Sequence, residues 1–252
     1  MLSKAIRFAY HRNPFLEAVP WLMLASAMRF YAYSAGDVSV FAATAISNLA
    51  VFLAFLLAAR RMIEWTGGTT RLGHMALRDQ LSLGQKILSR VLLLLFGMLV
   101  IALVLGFKTT ALHFLLGFDG IAFDQFTTSG MVWSAILAAI VYFMLIGAEQ
   151  TGAPSLPGAV KELIARRTWM VPAIALVAVA HILLSLVQGY GRHLLYLVWQ
   201  EQLLPVPVTF IYFIFVFGFA SIRLWVTLAI LTFAIRESYR RTSAPGQQRL
   251  IN

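Results

Sequence analysis

Apolar positions in this chain do not alternate with polar ones; they run on in long stretches broken by short basic or polar segments. Six such stretches stand out: Phe15–Ser34, Val38–Ala59, Leu88–Phe107, Met131–Gly147, Met170–Val187 and Val208–Ile235. Each is near or above the roughly 17–25 residues with which a helix crosses hydrocarbon. The pattern predicts an all-α, polytopic transmembrane bundle of about six spans. A tight turn around Gly36-Asp37 joins the first two. The last is long enough to tilt or to project into the cytoplasm. Residues 1–242 are expected to form a single membrane domain. Beyond Ser243 apolar periodicity stops, and residues 243–252 read as a disordered tail.

The stretches also repeat. Ala5-Ile6-Arg7, Arg12 and Phe15 match Ala159-Val160-Lys161, Arg166 and Trp169 at the same offsets. A middle copy around Gln85-Lys86-Ile87 and Arg90 is blurred by one position. The expected architecture is therefore three pseudo-repeated helix pairs, each introduced by a basic amphipathic connector. Leu156, Val160, Leu163 and Ile164 recur at helical spacing, with Lys161, Glu162, Arg166 and Arg167 on other faces. Ser155 suits the cap of that helix, and Pro157 is tolerated in its first turn. Leu2–Tyr10 and Leu77–Leu88 read similarly. Helices with one apolar and one basic face lie in the membrane interface. Arg7, Arg12, Lys86, Arg90, Lys161, Arg166 and Arg167 are the expected contacts to lipid headgroups. Two outer stretches, Ala111–Phe118 and Leu194–Leu204, are rich in Leu, Phe and Trp. They are expected to lie on the outer interface, to dip back into it, or to extend the adjacent helices. Tyr190, Tyr196 and Trp199 suit an aromatic belt.

Composition agrees with this pattern. Of 252 residues, 60% are hydrophobic and only 12% charged, against about a quarter charged in soluble domains. The mean hydropathy is +0.82. Cysteine is absent, which excludes disulfides, thiolate metal sites and cysteine nucleophiles. The formal charge of +10 sits beside apolar spans, so it reads as orientation signal and headgroup contact, with no nucleic-acid partner expected. Lys4, Arg7 and Arg12 precede an apolar run, and Ala25-Ser26-Ala27 resembles a signal cleavage site. Glu17, two prolines and the continuing Phe30-Tyr31-Ala32-Tyr33 favour an uncleaved first span instead.

Cations sort by side. The N-terminus, the connectors after the second and fourth spans, and the C-terminus are rich in arginine and lysine; the opposite loops carry only Lys108 and Arg192 beside Asp37, Asp119, Asp124 and Glu201. Moving Lys and Arg across the bilayer is disfavoured. Both termini are expected in the cytoplasm, with the protein in a bacterial inner membrane.

Ionisable and amide groups inside spans are functional candidates, because burial in hydrocarbon is costly. Arg223, His181, Asn48 and Arg29 meet this description. At 1.5 Å rise per residue, Arg223, His181 and Asn48 lie roughly 16–18 Å from the cytoplasmic ends of their spans, which allows one shared layer. No carboxylate falls in that layer by this reckoning. The charge of Arg223 then requires an anionic ligand, an acid from a partner subunit, or satisfaction by carbonyls, water and snorkelling. No metal site is expected: the histidines are scattered, and His193 with Glu201 makes only a weak pair. Glu149 is expected to pair with a basic interfacial helix. G-x-S-x-G, H-E-x-x-H and Walker motifs are absent, and no cofactor or catalysis is expected.

Ala5-Ile6-Arg7 before Asn13-Pro14-Phe15, the Ala159-Val160-Lys161 copy, and the closing Ala234-Ile235-Arg236-Glu237-Ser238-Tyr239-Arg240-Arg241 resemble, in layout, bacterial six-helix inner-membrane proteins. These include the membrane-domain family found beside glycerophosphodiester phosphodiesterases. The resemblance covers most of the chain and implies an integral membrane protein without catalysis; it assigns no site residues. The leading expectation is a non-catalytic membrane subunit or scaffold that binds lipid, partner membrane proteins or further copies of itself. The alternative is a transporter-like component for an anionic or amphiphilic substrate, using the midplane cations.

Overall fold

The computed structural model of the chain describes residues 15–34, 38–65, 77–107, 114–124, 127–200 and 205–242. Arg7, Arg12, Gly36-Asp37, Lys108, Glu201 and the tail after Ser243 lie outside them, as do the side chains of Glu149 and Trp199. The described residues form seven α-helices and no strand: α1 (Val19–Ser34), α2 (Val38–Trp65), α3 (Leu77–Val104), α4 (Thr128–Thr151), α5 (Leu156–Ala165), α6 (Arg167–Gln200) and α7 (Pro205–Thr242). Five of them, α2, α3, α4, α6 and α7, are long and apolar enough to cross a membrane. The chain is thus a multi-pass helical bundle. The first expected span is the shorter α1, with 16 residues.

Helix α4 is the axis of the fold. Ala135, Leu137, Ala138, Val141 and Met144 are wholly enclosed, and Tyr142 nearly so. Small side chains let neighbours approach closely, which is how packing is gained between helices where lipid removes the hydrophobic drive. Against this axis, 78% of the α4 span is buried but only 22% of the α3 span. Helix α3 contributes one stripe, Leu83, Ile87, Val91, Leu95 and Ala102, at the three-to-four-residue spacing of a helix face. Its other faces present Leu93, Phe96, Val100 and Val104 outward. Helices α1 and α2 pack against each other, with Leu22 and Ala25 of the one and Ala50, Ala54 and Ala58 of the other buried.

Helix ends follow local chemistry. Thr127 caps α4 by accepting from the Gly130 N–H at 3.2 Å. Gly152, with φ +76°, ends it in the left-handed region that glycine tolerates best. Gly106, with φ +83°, closes α3; the Phe107 N–H donates to Ala102 O and the Gly106 N–H to Leu103 O, which is a Schellman motif. The Ser155 cap is as expected, with Pro157 in the first turn of α5.

Boundaries shift in two instructive places. The amphipathic stretch 77–88 is no separate interfacial helix; it is the first half of α3. The apolar stretch after Leu194 continues α6 as far as Gln200. Helix α7, with 38 residues, is about 57 Å long at helical rise, well beyond the roughly 30 Å hydrocarbon core.

Candidate functional site

The segment between α3 and α4 enters the bundle. Phe118, Asp119, Ile121, Ala122 and Phe123 are all buried, although most lie in no regular helix beyond the 3-10 turn Asp119–Ile121. Aromatic edges hold it there. Phe118 meets Phe52 at 5.2 Å and Phe55 at 5.9 Å, both edge-on, the arrangement that ring quadrupoles favour. The Trp133 indole N–H donates to Phe114 O at 3.0 Å. Gly117 lies so close to α4 that a Cβ there would stand 2.5 Å from Trp133 Nε1. Irregular backbone at such depth is tolerated only when enclosed by protein or lining a wet cavity.

This segment carries two acids, and each fastens a different pair of helices. Asp119 forms an ion pair with Arg29 of α1. Ser47 Oγ of α2 lies 3.3 Å from its second oxygen. The Asp119 backbone N–H donates to Asn48 Oδ1 at 3.0 Å, while Asn48 Nδ2 donates to Thr44 O at 2.9 Å. Arg29 also lies over the Phe123 ring, 5.7 Å from its centroid.

Asp124 turns the other way. It bridges Arg192 of α6 and Arg223 of α7, the latter at 3.4 Å, and accepts from the Ser185 hydroxyl. Arg223 is fully buried. Its Nη2 donates to Ser185 Oγ at 2.9 Å and to Gln188 Oε1 at 3.1 Å, and its Nη1 lies 3.4 Å from His181 O. One turn deeper, His181 Nε2 and Thr227 Oγ1 are 2.8 Å apart, and Thr227 Oγ1 donates to Arg223 O at 2.8 Å. Deeper still on α7, Thr232 meets Tyr142 of α4 at 2.8 Å.

These contacts correct the expectation of a cationic layer without a counter-ion. Depth along the helices does not register these acids, because both reach the interior through a folded-in loop. Arg223 and Arg29 are therefore neutralised within the chain. Arg223 and His181 do come together. Asn48 and Arg29 belong to the Asp119 cluster, and no hydrogen bond joins Asn48 to Arg223.

At the opposite end of the bundle, Arg61 pairs with Glu17 and, at 2.7 Å, with Glu64. The Arg61 hydrogen bond holds the Glu17 carboxyl below its ordinary range. Arg166 lies between α5 and α6. It donates to Glu162 at 3.0 Å and to Ser238 at 3.2 Å and stacks 3.6 Å from the Tyr239 ring centroid. Its side chain is 14% exposed, so the protein itself engages the group expected to face headgroups. Arg90 is half-buried, with Nη1 enclosed and without a hydrogen-bond partner among the described residues. Lys86, Lys161 and Arg167 are exposed, and so is Arg236, which the sequence placed at the same end. Every acidic side chain described, Glu17, Glu64, Asp119, Asp124, Glu162 and Glu237, pairs with arginine.

Sequence reasoning missed Asp119, Asp124, Ser185, Gln188 and Thr227. Two signals were present. Each acid directly follows phenylalanine in an apolar loop, as Phe118-Asp119 and Phe123-Asp124. His181, Ser185 and Gln188 recur at the spacing of one helix face. Among the described residues, no group of His, Asp and Glu side chains is placed to hold a metal ion. No known family, curated protein or solved structure matches this chain.

Proposed function

We propose that the protein is a non-catalytic integral membrane subunit whose cytoplasmic end binds anionic lipid headgroups. The observation that carries this reading is the division of its cations. The interior arginines Arg29 and Arg223 are matched by Asp119 and Asp124, whereas Lys86, Lys161 and Arg167 are exposed and form no salt bridge among the described residues, and Arg236 is exposed with only the charge of Glu237 nearby. A cation near an anionic membrane surface contributes about 1 kcal/mol, so such a cluster selects anionic over zwitterionic lipid. In this reading α1 completes six spans in three repeated pairs. Both termini face the cytoplasm of a bacterial cell. Partner membrane proteins or further copies of the chain would meet the lipid-facing helices.

The transporter reading has less support. Its motive was an uncompensated central cation, and Asp124 supplies the missing charge.

Lipid retention tests the proposal. In detergent extracts examined by native mass spectrometry, the unaltered protein should retain phosphatidylglycerol or cardiolipin over phosphatidylethanolamine. The combined Lys86→Gln, Lys161→Gln, Arg167→Gln and Arg236→Gln variant should lose that preference while folding normally. Equal retention of neutral and anionic lipids by the unaltered protein removes the reading.

A further inference from the structure

Two buried polar atoms in the Asp124 cluster lack hydrogen-bond partners among the described residues: Arg223 Nε and His181 Nδ1. Both side chains are wholly buried. They belong to residues already in contact, through Arg223 Nη1 and His181 O. Leaving a buried donor or acceptor unmatched is costly, because its hydrogen bonds to water are lost and not replaced, so an occupant that matches both is favoured.

The hydrogen-bond inventory decides what that occupant is. Thr227 has one hydroxyl proton, and it goes to Arg223 O at 2.8 Å. The 2.8 Å contact with His181 Nε2 then requires the imidazole to donate there. A neutral imidazole carries one N–H, so Nδ1 is a bare lone pair. Arg223 Nε can only donate. The missing partner must therefore accept from Nε and donate to Nδ1. A metal or organic cation is repelled by the guanidinium. An anion without protons cannot satisfy Nδ1. Water does both, and buried waters characteristically take two to four such bonds.

We propose that a water molecule is bound between Arg223 Nε and His181 Nδ1, and that the polar seam above it is the route by which water reaches it. That seam runs outward through Ser185, Gln188 and Asp124 to Arg192, whose side chain is 33% exposed. Charged and titratable groups facing the site are Arg223 on α7, Arg192 on α6 and Asp124 on the re-entrant segment. Tyr142 of α4 lies deeper and is held by Thr232. Inward of His181, the same helix presents Ala178, Val177, Ala173 and Met170, all apolar and buried. The wet seam thus stops part-way through the bundle, open to the outer side only. This adds a hydrated interior to the scaffold reading and does not depend on the lipid preference.

The absence of cysteine makes the test direct. Single cysteines are placed by His181→Cys, Val177→Cys and Arg192→Cys, and treated from the outside with a small thiosulfonate reagent. Only thiolate reacts, and thiolate forms where water reaches, so His181→Cys should react at least about tenfold faster than Val177→Cys. Arg192→Cys should be fastest. Equal, negligible rates at His181→Cys and Val177→Cys beside a reactive Arg192→Cys overturn the route. A high-resolution density map of the unaltered protein provides the second reading, independent of any variant. A solvent peak within hydrogen-bonding reach of both atoms supports the site; continuous protein density bonding Nδ1, or no peak between them, overturns it.

Discussion

Asp119 and Asp124 sit on one short segment and do the same chemical task under different conditions. The Asp119 side chain is 2% exposed and its Arg29 partner 16%. Asp124 is 19% exposed, and its two arginines span the range from fully buried Arg223 to Arg192 near the surface. The first cluster is nearly sealed and depends on one arginine. The second is shared and open at one end. A sealed pair loses most when one member goes, because the other charge is left without water or partner. A shared network has a reserve. The segment thus has one rigid fastening to α1 and α2 and one adaptable fastening to α6 and α7.

The sharpest break of that comparison is Asp119→Ala. Taking the buried counter-ion from Arg29 should cost about 3–5 kcal/mol, seen as a large drop in melting temperature in detergent. The double change Arg29→Met with Asp119→Leu should recover much of it, since apolar replacement of a buried pair is often neutral. If Asp119→Ala melts like the parent, the sealed pair contributes nothing and the contrast is lost.

Arg223→Leu should be milder. Asp124 keeps Arg192, and the loss falls on Ser185, Gln188 and His181 O, roughly 1–3 kcal/mol for orphaned polar groups. The same melting experiment compares the two sites directly. A larger loss here than at Asp119 would reverse their ranking.

Gly117→Ala probes the segment without touching either acid. The added Cβ meets Trp133 at 2.5 and 2.7 Å, so the indole must move. Overpacking of this kind costs about 1–3 kcal/mol, and the Trp133–Phe114 hydrogen bond should break. Trp133 emission, isolated by replacing the other tryptophans, should shift; an unchanged spectrum would show that the segment is not pressed against α4.

The smallest effect is expected at the other end of the bundle. The folded-state carboxyl of Glu17 is lowered by Arg61. Its contribution is therefore present above the ordinary value of 4.5 and lost as pH falls through the lowered value. Glu17→Gln should remove that part of the acid dependence of melting while leaving stability near neutral pH little changed. A variant with the parent's full acid profile would assign the loss to other carboxylates.

Much of the fold was legible along the chain. The apolar runs located five long helices, and Ser155 announced α5, because both signals are local: hydrocarbon length and backbone capping act over neighbouring residues. Helix ends were less legible. The basic half of α3 and the C-terminal extension of α6 look like connectors by composition, yet continuous hydrogen bonding carries the helix through them. The interior site was half legible. Arg223, His181, Asn48 and Arg29 were singled out by the cost of burying them, but their partners were assigned to the outside.

The sequence by itself determined that this chain is a helical membrane bundle with costly polar groups in its spans, since apolar run length and the price of buried charge are properties of single segments. Only the tertiary structure decided what satisfies those groups. Asp119 and Asp124 reach Arg29 and Arg223 because an apolar, phenylalanine-studded loop gains more by packing on α2 and α4 than by lying in the interface, and that balance exists only once the helices have assembled.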